Sequence, residues 1–113
     1  MEGEPVRRHV ADLVQKYKKP VYGLFVANKI DSNTAETFRM GVWYTTQDER
    51  LELHIVPLTL TQFSEYFKFI FTENFAEPQI VDLMCNCENY RKICEGPEWK
   101  KCINEVVQIM TKR

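Results

Sequence analysis

The sequence predicts an α/β fold with two parallel strands, a crossover helix between them, and further helices on either side. An almost unbroken apolar run at residues 20–27, between a lysine cluster and a polar turn, is typical of a strand buried on both faces. A second strand is predicted at residues 51–55, where apolar and polar residues alternate. A helix-length segment separates the two strands, which favours parallel pairing.

Composition limits the class of protein. The chain has 113 residues, of which 44% are hydrophobic and 27% charged, as in one globular domain or a domain fragment. It has no apolar run of about 18–20 residues, as a membrane span needs, and its N-terminus lacks the pattern of a signal peptide. We therefore expect a cytoplasmic protein without membrane contact.

The net charge of −1 hides an uneven distribution. Residues 1–30 contain six Lys/Arg against three Asp/Glu, residues 31–90 three against ten, and residues 91–113 six against three. The two basic ends are where an anionic partner would bind, unless they are only solvated helix faces.

The first helix is predicted over residues 4–17 from the helical spacing of its apolar residues Val6, Val10, Leu13, Val14 and Tyr17. Pro20 prevents its continuation. The crossover helix is predicted over residues 34–44, opened by a capping box of Asn33 and Glu36. Its expected inner face is Ala35, Phe38, Gly41 and Val42.

Three helices are predicted after the second strand. Thr59 and Gln62 form a capping box for an aromatic helix that ends near residue 74 and whose inner face is Phe63, Tyr66, Phe67, Ile70 and Phe71. Pro78 opens the next helix, with Val81, Met84 and Cys85 facing inward, and Gly96-Pro97 breaks it. The last helix has an apolar face of Trp99, Cys102, Ile103, Val106, Val107 and Met110.

Neither a metal ligand nor a catalytic residue is assigned from local motifs. The four cysteines include a single C-x-C, at Cys85 and Cys87, whereas structural zinc sites usually have two closely spaced pairs. Reduced thiols are therefore favoured over a metal site. Glu98-Trp99-Lys100 matches an E-x-K pattern, but two residues apart on a helix point in different directions, so we reject this match.

A sheet of two parallel strands is incomplete, because such a pair is not stable in isolation. Further strands would have to come from a missing N-terminal portion, from a second copy of the chain, or from a partner.

Several segments together resemble the C-terminal part of the AlwI-type family of type IIS restriction endonucleases. They are Glu2-Gly3-Glu4-Pro5-Val6-Arg7-Arg8-His9, Val21–Ala27, Asn33-Thr34, Thr37-Phe38-Arg39 and Ile55-Val56-Pro57-Leu58-Thr59. The order of elements is similar to the later half of the FokI cleavage domain, within the PD-(D/E)xK nuclease fold. The resemblance covers residues 2–72, so we divide the chain into a nuclease-like portion, 1–72, and C-terminal helices, 73–113.

The resemblance implies a role in DNA cleavage by the complete parent enzyme. In this family a catalytic β-hairpin carries the acidic residues that hold Mg²⁺, and this hairpin precedes the first helix of the present chain. The expectation is therefore that this chain has neither catalytic residues nor a cofactor of its own and is inactive alone, while the parent enzyme uses Mg²⁺.

The resemblance also suggests roles for charged residues of the first helix. In the FokI cleavage domain an acidic residue and an arginine four apart pair across a dimer axis, and Glu4 and Arg8 have this spacing. Arg7, Arg8 and Lys16 are candidates for contacts with DNA phosphates. A solvated basic helix face is the alternative for all three.

Three hypotheses for function follow. The first is a fragment of a type II site-specific DNA endonuclease that depends on further strands or a second copy. The second is a non-catalytic dimerisation or interaction module derived from such a nuclease. The third is an unrelated cysteine-bearing α-helical binding domain.

Overall fold

The computed structural model of the chain describes residues 4–19, 21–73 and 77–111, with side-chain surroundings for all of these except 71–73 and 77–80. Five helices and four strands follow one another in these residues: α1 (Glu4–Tyr17), β1 (Tyr22–Ala27), α2 (Ser32–Met40), β2 (Val42–Tyr44), β3 (Arg50–Glu52), β4 (His54–Thr59), α3 (Leu60–Glu73), α4 (Glu77–Arg91) and α5 (Gly96–Thr111). The mixed α/β class and the bounds of α1 are as predicted. Pro20 and the predicted inward position of Phe71 lie outside the described residues.

The central sheet is the parallel pair β1 and β4, in register from Tyr22 opposite His54 to Ala27 opposite Thr59. The predicted parallel pairing is thus confirmed, but the position of the second strand was wrong. Residues 51–55 contain the end of β3 and the start of β4, separated by Leu53, whose N–H donates to the carbonyl of Gly41 at 2.7 Å.

The connection between β1 and β4 contains more than the predicted helix. After α2, strands β2 and β3 form an antiparallel hairpin, with Val42 opposite Glu52 and Tyr44 opposite Arg50. The hairpin turn is held by the Thr45 hydroxyl, which accepts from the backbone N–H groups of Gln47 and Glu49. The expectation of two strands only was therefore wrong.

The two central strands differ in burial. Ile55, Val56, Pro57 and Leu58 of β4 are buried, whereas only Phe25 of β1 is buried. Helices α2, α3 and α4 all contact β4, while β1 is contacted by α1 and α3. The expectation that β1 would be buried on both faces was wrong, because it has fewer elements packed on it than β4.

Helix α2 begins and ends earlier than predicted. Its N-cap is Asp31, whose Oδ1 accepts from the N–H of Thr34 at 2.7 Å. These hydrogen bonds with Thr34 hold the pKa of the Asp31 carboxyl below its usual value. Gly41 ends the helix in the left-handed conformation, with φ +56°. Ala35 and Phe38 face inward as predicted.

The predicted capping box of Asn33 and Glu36 is not formed. The Glu36 carboxylate instead accepts from the Arg39 side chain at 2.6 Å and from the backbone N–H of Gly96 at 2.8 Å. Its pKa is lowered chiefly by the hydrogen bond from Arg39. Glu36 thereby joins α2 to the start of α5.

The capping box of α3 is confirmed. The N–H of Thr59 donates to Gln62 Oε1 at 2.9 Å, and the N–H of Gln62 donates to Thr59 Oγ1 at 3.2 Å. Tyr66 and Ile70 are buried as predicted, but Phe67 is 39% exposed.

The C-terminal helices complete the core. On α5, Trp99, Ile103, Val106 and Val107 are buried as predicted. The inner face of α4 is Leu83, Met84 and Cys87, so the inward positions predicted for Val81 and Cys85 were wrong. Among the described residues, no helix is long and apolar enough to cross a membrane.

Candidate functional site

The two adjacent arginines of α1 lie in different surroundings. Arg7 is half-buried: its Nη2 donates to the carbonyl of Val42 at 2.8 Å, and its guanidinium lies 5.4 Å from the centre of the Trp43 ring. Arg7 therefore fastens α1 to the β2–β3 hairpin, through a hydrogen bond and a cation–π contact.

Arg8 faces solvent. Its Nη2 lies 2.7 Å from Oε1 of Glu4, one turn earlier on the same helix, and the two side chains are 62% and 49% exposed. An exposed pair of this kind is screened by water and exchanges partners readily. The structure brings Glu4 and Arg8 together within one chain, and a contact between chains stays a prediction.

Three lysines surround the C-terminal end of α1. The Lys16 ammonium lies 5.3 Å from the centre of the Tyr17 ring, on the exposed side of the helix. Lys18 ends the helix with φ +53°, and its N–H donates to the carbonyl of Val14. Lys18 and Lys19 then border a cleft.

This amino-end cleft has a volume of about 580 Å³ and lies at the amino ends of the central strands. Its charged and polar lining includes Lys18 and Lys19, Glu49 and Glu52 of the hairpin region, and His54. Positive and negative side chains are thus mixed in this cleft, which gives it no single preference for the charge of a ligand.

A buried charge cluster lies behind His54. The Arg91 side chain is 3% exposed and pairs with Glu88, at 2.8 Å between Nη1 and Oε2, and with Glu52, at 3.5 Å. His54 Nδ1 lies 3.3 Å from both Glu88 Oε2 and Arg91 Nη1. The second oxygen of Glu88 is buried without a hydrogen-bond partner among the described residues.

Arg91 also organises the end of α2. Its Nε donates to the carbonyl of Arg39 at 2.6 Å, and its Nη2 to that of Met40 at 3.4 Å. These two carbonyls belong to the last turn of α2, so Arg91 satisfies acceptors that have no partner within the helix. The cluster therefore joins α4, α2 and the hairpin, and its members serve the fold.

A second cleft lies at the opposite end of the sheet. This carboxyl-end cleft, of about 390 Å³, is lined by residues that follow β1 and end β4 and by residues of α3 and α5. Its lysines, Lys100 and Lys101, were not among the predicted site residues. Sequence reasoning missed them because they reach the cleft only through the packing of α5 on α2 and α3.

The cysteines do not form a metal centre in the described part of the chain. There, no group of three or more His, Cys, Asp or Glu residues is positioned to hold a metal ion. Cys94 and Cys102 contact each other at 3.7 Å between sulfurs, and burial followed by this hydrogen bond raises the pKa of Cys102. Burial raises the pKa of Cys87 to about 12, so its thiol stays protonated.

Glu98, Trp99 and Lys100 lie in α5, as the rejection of the E-x-K match required. Trp99 is fully buried, and its indole N–H donates to the carbonyl of Cys87 at 2.9 Å. The Lys100 ammonium lies 3.4 Å from the Ser32 hydroxyl.

Comparison with known proteins gives one match. Residues 1–66 match a family model described as AlwI restriction endonuclease. The match covers more than half of the chain, from α1 into α3, and includes both central strands. No curated protein and no solved structure shows significant similarity to the chain.

Proposed function

The chain belongs to the AlwI restriction endonuclease family, and from this premise we propose that it forms part of the nuclease domain of a type II restriction enzyme that cleaves DNA. The observation that carries the proposal is the family match over both strands of the central sheet. The fold we propose is the later part of a PD-(D/E)xK nuclease domain.

A nuclease of this kind needs Mg²⁺, which activates water and neutralises the developing phosphoryl charge. The described residues do not fit such an ion, since they contain no group of three or more His, Cys, Asp or Glu placed to hold one. We therefore derive no catalytic step from this chain's residues, and we propose that the metal-binding carboxylates lie on strands beside the β1–β4 pair.

The sheet has one edge that suits an added strand. Within the described residues, β1 is hydrogen-bonded to β4 alone, and most of its side chains are not fully buried. Strand β4 contains Pro57, and prolines within sheets are found on edge strands because they have no N–H to donate. The free edge of β1 is thus the place where we propose that further strands pair.

These proposals are tested on the purified chain with two assays. We expect the chain to bind a fluorescein-labelled DNA duplex at low salt and to leave a supercoiled plasmid intact in the presence of Mg²⁺. Magnesium-dependent cleavage by the chain alone would overturn the proposal that the metal ligands lie elsewhere. Failure to bind DNA at low salt would contradict the proposed substrate.

A second candidate function is dimerisation through α1, supported by the exposure of Glu4 and Arg8. In this proposal the ion pair between Glu4 and Arg8 within one helix is replaced by pairs between chains. Glu4 of each copy then contacts Arg8 of the other. Sedimentation velocity should then show a dimer that Glu4→Arg or Arg8→Glu weakens and that the double exchange restores. A monomer at all accessible concentrations would contradict this proposal.

A further inference from the structure

The carboxyl-end cleft combines an apolar floor with a polar rim. Ile30, Pro57 and Ile103 form the floor, and its volume of about 390 Å³ lies within the range of small-ligand sites. Pro57 is buried and Ile103 belongs to the hydrophobic core, so the packing of the fold holds this floor in place.

Two neighbouring lysines give the rim its positive charge. Lys100 and Lys101 both line the cleft, and within the described residues neither has a carboxylate oxygen within 4 Å. The Lys100 ammonium lies 3.4 Å from the Ser32 hydroxyl, which is neutral. Glu105 is the acidic residue of the lining, and the Asp31 carboxylate outside the lining is close enough to Lys100 for that lysine to help lower its pKa. The lining itself has two positive side chains and one negative side chain, a net positive charge that attracts an anion.

The amides on the rim also favour an anion. Gln62 is fixed by its capping box, where its Oε1 accepts from the N–H of Thr59, and its Nε2 donates to Asn104 Oδ1 at 3.0 Å. The side-chain oxygens of Gln62 and Asn104 thus each accept one hydrogen bond from within the protein. The amide nitrogen of Asn104 donates to no partner among the described residues and is left as a free donor at the cleft.

We propose that the carboxyl-end cleft binds one nucleotide unit of the DNA substrate, with Lys100, Lys101 and Asn104 on its phosphodiester group. The sugar or base lies on the apolar floor. This inference rests on the proposed function, because that function supplies DNA as the ligand. It gives α5, which lies outside the matched residues 1–66, a part in holding the substrate.

The test is fluorescence anisotropy with a labelled 20-base-pair duplex at several salt concentrations. Lys100→Gln with Lys101→Gln is compared with the matched control Lys68→Gln with Lys92→Gln, two exposed lysines away from both clefts. We expect the first pair to reduce affinity at least tenfold and to lower the salt slope by about 1–2 units, since each phosphate contact contributes about 0.9. The control should match the wild type.

Asn104→Asp provides a second variant, because it places a negative charge on the rim while keeping the oxygen that accepts from Gln62. It should weaken DNA binding to a similar extent without changing the thermal midpoint by more than about 2 °C, as expected for an exposed position. The affinity of these variants and their circular dichroism spectra are measured together, so that misfolding is detected.

The outcomes separate this inference from the proposed function. If the wild type binds DNA and the cleft variants bind equally well with the same salt slope, the cleft assignment is overturned while the proposed function stands. If the wild type does not bind DNA, the proposed function fails. If a free mononucleotide competes as well as duplex at equal phosphate concentration, the cleft binds nucleotides and its assignment to DNA is overturned.

Discussion

Helix α1 and helix α5 are both amphipathic, yet they contribute differently to the molecule. Helix α1 buries Val10 and Ala11 and contacts β1 and the hairpin at one side of the sheet. Helix α5 buries five residues and packs on α2, α3 and α4. The family match covers α1 and not α5, so residues outside the matched part supply much of the core of this chain.

The shared core leads us to expect that the matched portion does not fold by itself. The core cluster that contains Trp99, Ile103 and Val107 of α5 also contains Phe38 of α2 and the apolar residues Ile55, Val56 and Leu58 of β4. Polar contacts reach across as well, from Gly96 to Glu36 and from Arg91 to the end of α2. The C-terminal helices therefore hold the crossover helix against the sheet.

The largest expected effect comes from removing α4 and α5. A chain of residues 1–73 would expose the core side of α2 and β4, so we expect no cooperative thermal transition and binding of the dye ANS. Differential scanning calorimetry measures the transition. A cooperative transition close to that of the full chain would show that α1–α3 fold independently. It would contradict the view that the core depends on α5.

Single substitutions test whether α5 contributes more to the stability of the core than α1 does. Trp99→Ala removes a fully buried indole and its hydrogen bond to the carbonyl of Cys87, so the free energy of unfolding should fall by about 3–5 kcal/mol. Val10→Ala on α1 should cost about 2–3 kcal/mol, at about 0.8 kcal/mol for each of the two methyl groups removed plus the cavity. Urea denaturation measures both.

The control for Trp99→Ala is Ile109→Ala on the same helix, since Ile109 is 73% exposed. It should change the free energy of unfolding by less than about 0.5 kcal/mol. Equal losses for Trp99→Ala and Val10→Ala would contradict the greater role of α5.

Gly41, at the end of α2, and Gly23 of β1, which faces α1, allow the two sides to be compared by substitution with alanine. Gly41 has φ +56°, and a Cβ there would meet the Arg91 guanidinium and lie 2.6 Å from the carbonyl oxygen of Leu53. Gly41→Ala should therefore lower the free energy of unfolding by about 2–4 kcal/mol, from the left-handed conformation and the crowding together.

Gly23 is the matched case on the α1 side. A Cβ there would lie 2.9 Å from a methyl group of the buried Val10, so one of the two must shift. Gly23→Ala should cost about 1–3 kcal/mol from this crowding alone, without the further cost of a left-handed backbone. Thermal denaturation of both variants decides this, and a greater loss at Gly23 than at Gly41 would reverse the expected order.

Local signals in the sequence predicted a large part of the fold. The bounds of α1, the capping box of Thr59 and Gln62, and the inner face of α5 all depend on residues within one or two turns of each other. The β2–β3 hairpin was missed because Val42 continues the helical spacing of α2. Only the left-handed conformation of Gly41 ends that helix before β2 begins.

The site was less predictable than the fold. His54, Glu88 and Arg91 form a cluster although 34 residues separate the first two, and no local pattern connects them. The lysines of the carboxyl-end cleft were missed for the same reason. The predicted roles of Glu4, Arg7, Arg8 and Lys16 came from a resemblance and from their charges, and those charges do not indicate whether a side chain is free or engaged.

The smallest changes in the free energy of unfolding are expected for substitutions of Arg7 and Arg8. These two neighbours on α1 should differ clearly from each other. Arg7→Met removes the hydrogen bond to Val42 and the contact with Trp43, so the free energy of unfolding should fall by about 1–2 kcal/mol. Arg8→Met removes an exposed pair with Glu4 and should cost less than about 0.5 kcal/mol. Urea denaturation of the two variants at low and high salt measures both losses.

The salt dependence of the two stability losses separates Arg7 from Arg8 a second time. The small loss for Arg8→Met should vanish at 1 M NaCl, where the Debye length is about 3 Å, whereas the loss for Arg7→Met should persist because that guanidinium is half-buried. Equal losses at both positions would mean that Arg7 does not fasten α1 to the hairpin. In that case both arginines would be equally free for a partner, as the sequence alone suggests.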